Sequence, residues 1–411
     1  MYDFANSGYT TVVITAVFNA YFVAAVAGGA PWATFAWTCA LAASYALIIV
    51  SAPVIGAYAD ARAAKKRLLF FTTVGCVSFT AGLAFVGPGD LWLAVVLIVL
   101  SNFFFGTGEN LIAAFLPELA RAEALGRISG WGWSLGYLGG LLSLGACMGW
   151  VSYAQAHGAT AAEFVPGTML ITAGIFAAAS AMTFLFLRER ALPQATRTPL
   201  TSAFARVLET VRRAGSYTDL RRFLVCLVFY QAGIQTIVAL AAVYAQEVMG
   251  FTTRDTLFLV LVVNTTAAAG AFAFGQVQDR LGHVPTIVLT LLGWLATIIL
   301  VWIAEGIVLF WVAANLVGVC LGSSQSAGRA LVAYLSPPER TAEFFGLWGL
   351  AVKLSAILGP VTYGAVTWMT AGDHRLAILV TGIYFVIGLL IISTLDVARG
   401  RRAAVEECHR Q

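Results

Sequence analysis

The sequence predicts an all-α membrane protein whose twelve transmembrane helices form two pseudo-symmetric six-helix bundles. Three observations predict it. Of the 411 residues, 60% are hydrophobic and 11% charged, with a mean hydropathy of +0.86, against about 25% charged in a soluble domain. Twelve apolar segments are long enough, at about 20 residues, to cross hydrocarbon. Landmarks in the first half recur about 220 residues later, the mark of an internal duplication.

Taken in order, the segments cover residues 5–27, 36–58, 68–87, 92–116, 130–152, 167–187, 222–246, 256–277, 285–304, 307–333, 345–369 and 376–395. The first has no basic flank before it and is long enough to span, so it reads as a helix and not as a cleaved signal peptide. The abrupt opening Met1-Tyr2-Asp3 is what a missing short cytoplasmic leader would leave.

Positive charge sets the orientation. With the N terminus inside, the cytoplasmic loops hold Arg62, Lys65, Lys66 and Arg67, then Arg121 and Arg127, Arg188 and Arg190, Arg280, Arg340, and the tail residues Arg399, Arg401 and Arg402. Of the 24 Lys plus Arg, only Arg254 and Arg375 fall outside, while Arg329 and Lys353 lie within segments. Asp90, Glu163, Glu247, Asp255, Glu305 and Asp373 are all on the outer side. Trp32, Trp92, Trp150, Tyr153, Trp302 and Trp368 cluster at the outer ends, as an aromatic belt does. Both termini are therefore expected in the cytoplasm, with the chain in a bacterial-type inner membrane.

The long polar connection divides the chain. Residues 1–187 form an N-terminal six-helix lobe, 188–221 a cytoplasmic linker, 222–395 a C-terminal six-helix lobe and 396–411 a cytoplasmic tail. Within the linker, ALPQATRTP reads as extended chain, and SAFARVLETVRRA (202–214) as a basic amphipathic helix at the membrane surface. Six plus six spans around such a linker mark a two-lobed transporter built from parallel repeats.

Several chemistries are excluded. Cys39, Cys76, Cys147, Cys226, Cys320 and Cys408 show no C-x-x-C spacing, and His157, His283, His374 and His409 are scattered, so no metal site, haem or disulfide framework is implied. No Walker-type loop or nucleophile–base pairing occurs, which argues against ATP-driven transport and membrane-bound catalysis. The chain is not expected to be an enzyme, to carry a cofactor or to bind nucleic acid. We expect a monomer in the lipid bilayer.

Two loops carry a mechanical motif. Gly56-x-x-x-Asp60-Ala-Arg62 follows the second segment, and Gly275-x-x-x-Asp279-Arg280 follows the eighth. Glycine lets helices approach closely in a membrane. The aspartate can accept from the N terminus of a neighbouring helix and from the arginine, latching the inner side. Ordinary positive-inside loops would also look basic, but recurrence at the repeat offset favours gating.

The stretch 101–123, SNFFFGTGENLIAAFLPELARAE, places Glu109 beside Asn110 inside a spanning segment. Its counterpart places Arg329 at the equivalent position, each eight residues before a proline, Pro117 and Pro337. Charges at hydrocarbon depth are costly and mark pathways. We expect Glu109 and Arg329 to be a pore-facing pair, with Glu109 as proton carrier or partner of an ammonium. Arg329 would take a carboxylate bidentately. The bland reading is a structural salt bridge for each. Asn6, Asn110, Gln231, Gln235 and Asn264 are further polar groups in apolar spans. Each could be interhelical glue worth about 1 kcal/mol or less, although Gln231 and Gln235 share one helix face. Lys353 needs a partner or a water path.

The paired loops resemble the signature of the major facilitator superfamily. Tyr2-Asp3-Phe4-Ala5-Asn6-Ser7-Gly8-Tyr9 is similar to the opening of the bacterial relatives of the autophagy-linked vacuolar amino-acid effluxers. So are Phe115-Leu116-Pro117-Glu118, the run Ser129-Gly130-x-Gly132-Trp133-x-x-Gly136-Tyr137-x-Gly139-Gly140, Gly233-x-Gln235-Thr236, Arg329-Ala330 and Glu343-Phe344-Phe345-Gly346. Phe4 replaces the tryptophan usual in that family. Ala232 replaces an aspartate, which weakens proton coupling at that position. The resemblance implies the major facilitator fold, alternating-access transport, and a cavity lined by the first, fourth, seventh and tenth segments, which would bring Glu109 and Arg329 within reach of each other or of a shared ligand, with the eleventh segment and its Lys353 behind it. Direction and substrate do not carry over.

The function expected is a secondary active transporter for a small polar solute, an amino acid or similar metabolite, with protons as coupling ion and uniport still open. The alternative is a membrane sensor or lipid scramblase on the same scaffold.

Overall fold

The structure is a computed structural model and describes residues 1–191 and 217–406; the expected amphipathic helix at 202–214 lies outside them. Every regular element among the described residues is helical, with no strand, and 12 helices are long and apolar enough to cross a membrane. In the first half they are α1 (Tyr2–Val26), α2 (Ala33–Arg62), α3 (Lys65–Gly82), α4 (Leu91–Ala113), α5 (Leu125–Ala156) and α6 (Ala161–Phe186). The second half has α7 (Thr218–Glu247), α8 (Thr253–Leu281), α9 (His283–Ile303), α10 (Ile307–Leu335), α11 (Thr341–Met369) and α12 (His374–Ile392). A short helix, α13 (Val397–Glu406), follows.

The helices overrun the apolar segments chiefly at the end carrying the basic loops, here termed the basic end. There α2 continues through Asp60 to Arg62, α10 runs to Leu335, and α1 begins at Tyr2. Hydrophobicity measures what lies in hydrocarbon, whereas backbone hydrogen bonding continues into the polar interface. One result is that Asp3 sits in the first turn of α1.

At the opposite end four acidic residues are structural. Glu163 and Asp255 complete capping boxes with Thr160 and Thr252, and Asp373 accepts from the Leu376 amide at 2.9 Å. Asp90 accepts from the Gly87 amide at 2.9 Å. Carboxylates there satisfy orphan amides and oppose the helix dipole. Trp32, Trp92, Trp150, Tyr153, Trp302 and Trp368 are all exposed, as interfacial anchors must be.

α1 departs from regular α geometry. Thr10–Ala16 and Phe22–Val26 are π-helical, with the Val17 amide donating to the Val12 carbonyl at 2.8 Å. The Thr15 hydroxyl donates to the Thr10 carbonyl at 3.0 Å. Tyr9, buried within the first half, bonds the Ser101 hydroxyl of α4 at 2.9 Å.

Candidate functional site between the two halves

The two motif loops meet helices of the opposite half. Asp60, at the end of α2, accepts from the backbone amides of Ala342 (3.1 Å) and Glu343 (2.9 Å) at the start of α11. Asp279, at the end of α8, accepts from Gly126 (2.9 Å) and Arg127 (3.1 Å) at the start of α5. Each repeat's aspartate thus caps a helix belonging to the other, a contact worth about 0.5–2 kcal/mol.

The glycines make these contacts possible. A Cβ on Gly56 would run into the Ala342 carbonyl, and one on Gly275 into the Gly126 carbonyl at 2.7 Å. The expected arginine share of the latch is not formed. Arg62 lies over the Tyr58 ring, 5.2 Å from its centroid, and Arg280 is exposed. The backbone amides already occupy each carboxylate, and the arginine one or two residues on emerges on another face. Glu343, fully buried beside Asp60, is neutralised by Arg340, whose Nε and Nη2 donate at 3.0 and 2.8 Å.

The expected pairing of Glu109 with Arg329 is replaced by two separate ion pairs. Arg329, only 7% exposed, donates from Nη1 to Asp3 Oδ2 at 2.9 Å, from Nε to the Ser129 hydroxyl at 3.1 Å and from Nη2 to the Ser129 carbonyl at 2.9 Å. Its guanidinium lies 5.4 Å from the Trp133 ring centroid, and Ser129 Oγ donates to the Ser326 carbonyl at 2.8 Å. The side chain therefore ties α10 to α1 and α5. Gly132 leaves room for it, since a Cβ there would collide with both the Asp3 carboxylate and the guanidinium.

Glu109 instead faces Lys353 of α11, Nζ to Oε2 3.7 Å. The ammonium also lies 5.2 Å from the centroid of the Tyr45 ring on α2, a cation–π distance. At 1.5 Å per residue, Lys353 sits about 18 Å along α11 from Thr341, near the middle of a 30 Å core. The lysine expected behind the cavity is thus the mid-depth cation on the seam between the halves. Matching positions in the two repeats face matching helices of the opposite half, Glu109 from α4 toward α11 and Arg329 from α10 toward α5, but the residues they meet differ: Lys353 for Glu109, and Ser129, Trp133 and Asp3 for Arg329.

The amides fall into three environments. Gln231 is 1% exposed and pairs with Gln325 of α10, Nε2 to Oε1 2.7 Å; it joins two helices of one half and does not share Gln235's half-buried setting. Asn264 folds back onto the Val260 carbonyl of its own helix at 2.8 Å. Asn110 and Asn6 are buried, with Asn110 Nδ2 and Asn6 Oδ1 lacking partners. Asn110 packs against Gly349 of α11, one turn from Lys353.

Sequence reading missed Asp3 and Ser129 as site residues, and Tyr45 and Trp133 with them. Asp3 carried a signal, a carboxylate at the start of a spanning segment. Nothing in spacing connects it to Arg329. Among the described residues no group of three or more His, Cys, Asp or Glu could hold a metal ion.

Comparisons with known proteins agree with this architecture. The family described as Vacuole effluxer Atg22 like matches residues 33–405. The chain is 26% identical over 399 residues to an uncharacterised transporter of the major facilitator type, YxiO of Bacillus subtilis, covering 96% of this chain and 92% of that one. It is 27% identical over 210 residues to Autophagy-related protein 22 of Candida glabrata, covering 48% of this chain and 38% of that relative. The solved structure of the proton:xylose symporter XylE, a major facilitator protein, superposes with a TM-score of 0.77 at 15% identity, covering 100% of this chain and 97% of that one. A likeness at that identity is one of fold.

Proposed function

We propose that this chain, which belongs to the Vacuole effluxer Atg22 like family, is a secondary active transporter that carries a small polar solute across the membrane by alternating access. The observation that carries this reading is the Glu109–Lys353 pair, 3.7 Å apart at mid-depth with one partner from each half. Glu109 keeps 26% of its side chain accessible, so the pair is neither sealed in a core nor turned wholly to lipid. A zwitterion with neighbouring ammonium and carboxylate groups, such as an amino acid, would insert between the two charges. Its ammonium would take Glu109 and its carboxylate Lys353.

Protons are the proposed coupling ion. Protonation of Glu109 would free Lys353 and weaken the mid-depth attraction between the halves. The Asp60, Asp279 and Arg329 contacts would hold the basic end shut, then release as the cycle turns. In this reading Arg329 acts as a gate and does not touch the solute.

The test is a thermal-shift screen of the purified protein against amino acids, peptides and organic anions, since a bound solute raises apparent stability. Uptake of any stabilising solute is then measured in proteoliposomes with Glu109→Gln and Lys353→Met. A loss of tenfold or more in both variants is expected. Wild-type rates in both would refute the reading.

A further inference from the structure

The geometry points to a counterweight built into the closed basic end: polar atoms held without partners where the halves meet, Asn110 foremost, favour the parting of the halves there. The inference deepens the alternating-access reading and rests on it only in requiring that the basic end opens.

Asn110 of α4 is 6% exposed and lies against Gly349 of α11, a residue of the other half. Its Nδ2 is buried and unpartnered. The amide borders a narrow gap between the halves, walled by Ala52, Ile55 and Gly56 of α2, Leu111 of α4 and Ala342 of α11. No point in the gap is wide enough to admit a water molecule, so solvent cannot supply the missing acceptor. The walls do not supply it either. Their one other polar side chain, Thr107, turns its hydroxyl onto the Phe103 carbonyl of its own helix at 2.8 Å. Gly56 and Ala342 also belong to the Asp60 latch, so the stranded amide sits beside the contact that closes this end.

The second seam repeats the pattern. Trp133 Nε1 of α5, Gln278 Oε1 of α8 and Ser326 Oγ of α10 are buried without partners. They lie where α5 meets α8 and α10. Gln278 packs against Gly126, the Arg329 guanidinium covers the Trp133 ring, and the Ser326 carbonyl takes the Ser129 hydroxyl.

A polar atom buried without a hydrogen bond destabilises the state that buries it. Water reaches these atoms once the basic end opens, so the cost falls on the closed state. The Asp60, Asp279 and Arg329 contacts draw the halves together, and the stranded atoms oppose them. Opposed terms keep two arrangements close in free energy, as a cycle between them requires.

Hydrogen exchange is read in the full chain in detergent at residues 341–346 and 125–132, with rising denaturant to separate local parting from global unfolding. Asn110→Leu keeps the branched skeleton and removes the stranded amide, and exchange at 341–346 should slow about tenfold. Ser326→Ala removes one oxygen and should slow 125–132 severalfold, which carries the test at the second seam should the first variant fold poorly. Ser180→Ala is the control: that hydroxyl is also buried and unpartnered, but on α6, which packs on α1, α3 and α5 of its own half. It should change neither window. Local parting in the wild type that Asn110→Leu and Ser326→Ala leave unchanged or quicken overturns the inference and leaves the transport reading standing. Equal slowing by Ser180→Ala overturns it as well. Wild-type exchange at both windows through global unfolding alone overturns both.

Discussion

Lys353 Nζ stands 3.7 Å from Glu109 Oε2, although the two side chains come from helices in opposite halves of the chain. Both charges lie at a depth where ionisable groups are costly unless paired, so each is the main reason the other is tolerated. Removing one partner strands the other. Lys353→Met should lower the thermal midpoint by several degrees, and the double variant Glu109→Gln/Lys353→Met should recover much of the loss. A double variant less stable than Lys353→Met would show that the pair is not coupled in this way.

Arg329 spends three donors on Asp3 and Ser129. Hydrogen bonds to charged groups contribute about 1.5–3 kcal/mol each, so losing one shifts an equilibrium about tenfold or more. Asp3→Asn should open the basic end, seen as hydrogen exchange in residues 125–132 rising by that factor. Arg329→Ala should do more. Exchange rates unchanged in both would mean that the ion pair does not hold the halves together.

Gly56→Ala and Gly275→Ala place a methyl group against the backbone carbonyls of Ala342 and Gly126. Backbone cannot swing aside as a side chain can, so the helices must separate. Exchange should rise at 341–346 for the first variant and at 126–130 for the second. The midpoint of thermal unfolding should fall by a few degrees only, because each change displaces one backbone contact and leaves the rest of the buried packing in place.

Asp219 receives three hydrogen bonds from the chain at and just before α13. The ion pair alone is modest, since Arg399 is 52% exposed and screened by solvent. The backbone bond to the Asp396 amide is not. Asp219→Ala should therefore release α13 and speed tryptic cleavage after Arg401 severalfold, whereas Arg399→Gln should give a smaller, salt-sensitive effect. Equal effects would place the whole anchorage in the charge pair.

Much of the architecture is legible in the chain because oil solubility imposes it. A spanning segment must satisfy its own backbone, so an apolar run such as 92–116 has one structural outcome. The duplication is legible for a similar reason: Asp60 and Asp279 stand at one offset because both end the second helix of a repeat. The partners of the charges were not legible. Glu109 and Arg329 occupy equivalent positions, yet one meets Lys353 and the other Asp3, more than 300 residues away in the chain. Asp3 itself hides in an interfacial turn that hydropathy does not reach.

By itself, the sequence determined the number of helices, the aromatic and acidic character of one end, the basic character of the other, and the twofold repeat. Each follows from transfer of residues between water and hydrocarbon, a property of local composition. Only the tertiary structure decided which charges pair. That depends on which side chains of the facing helices come within reach, Lys353 for Glu109 and Asp3 with Ser129 for Arg329, and such neighbours are set by packing between segments far apart in the chain.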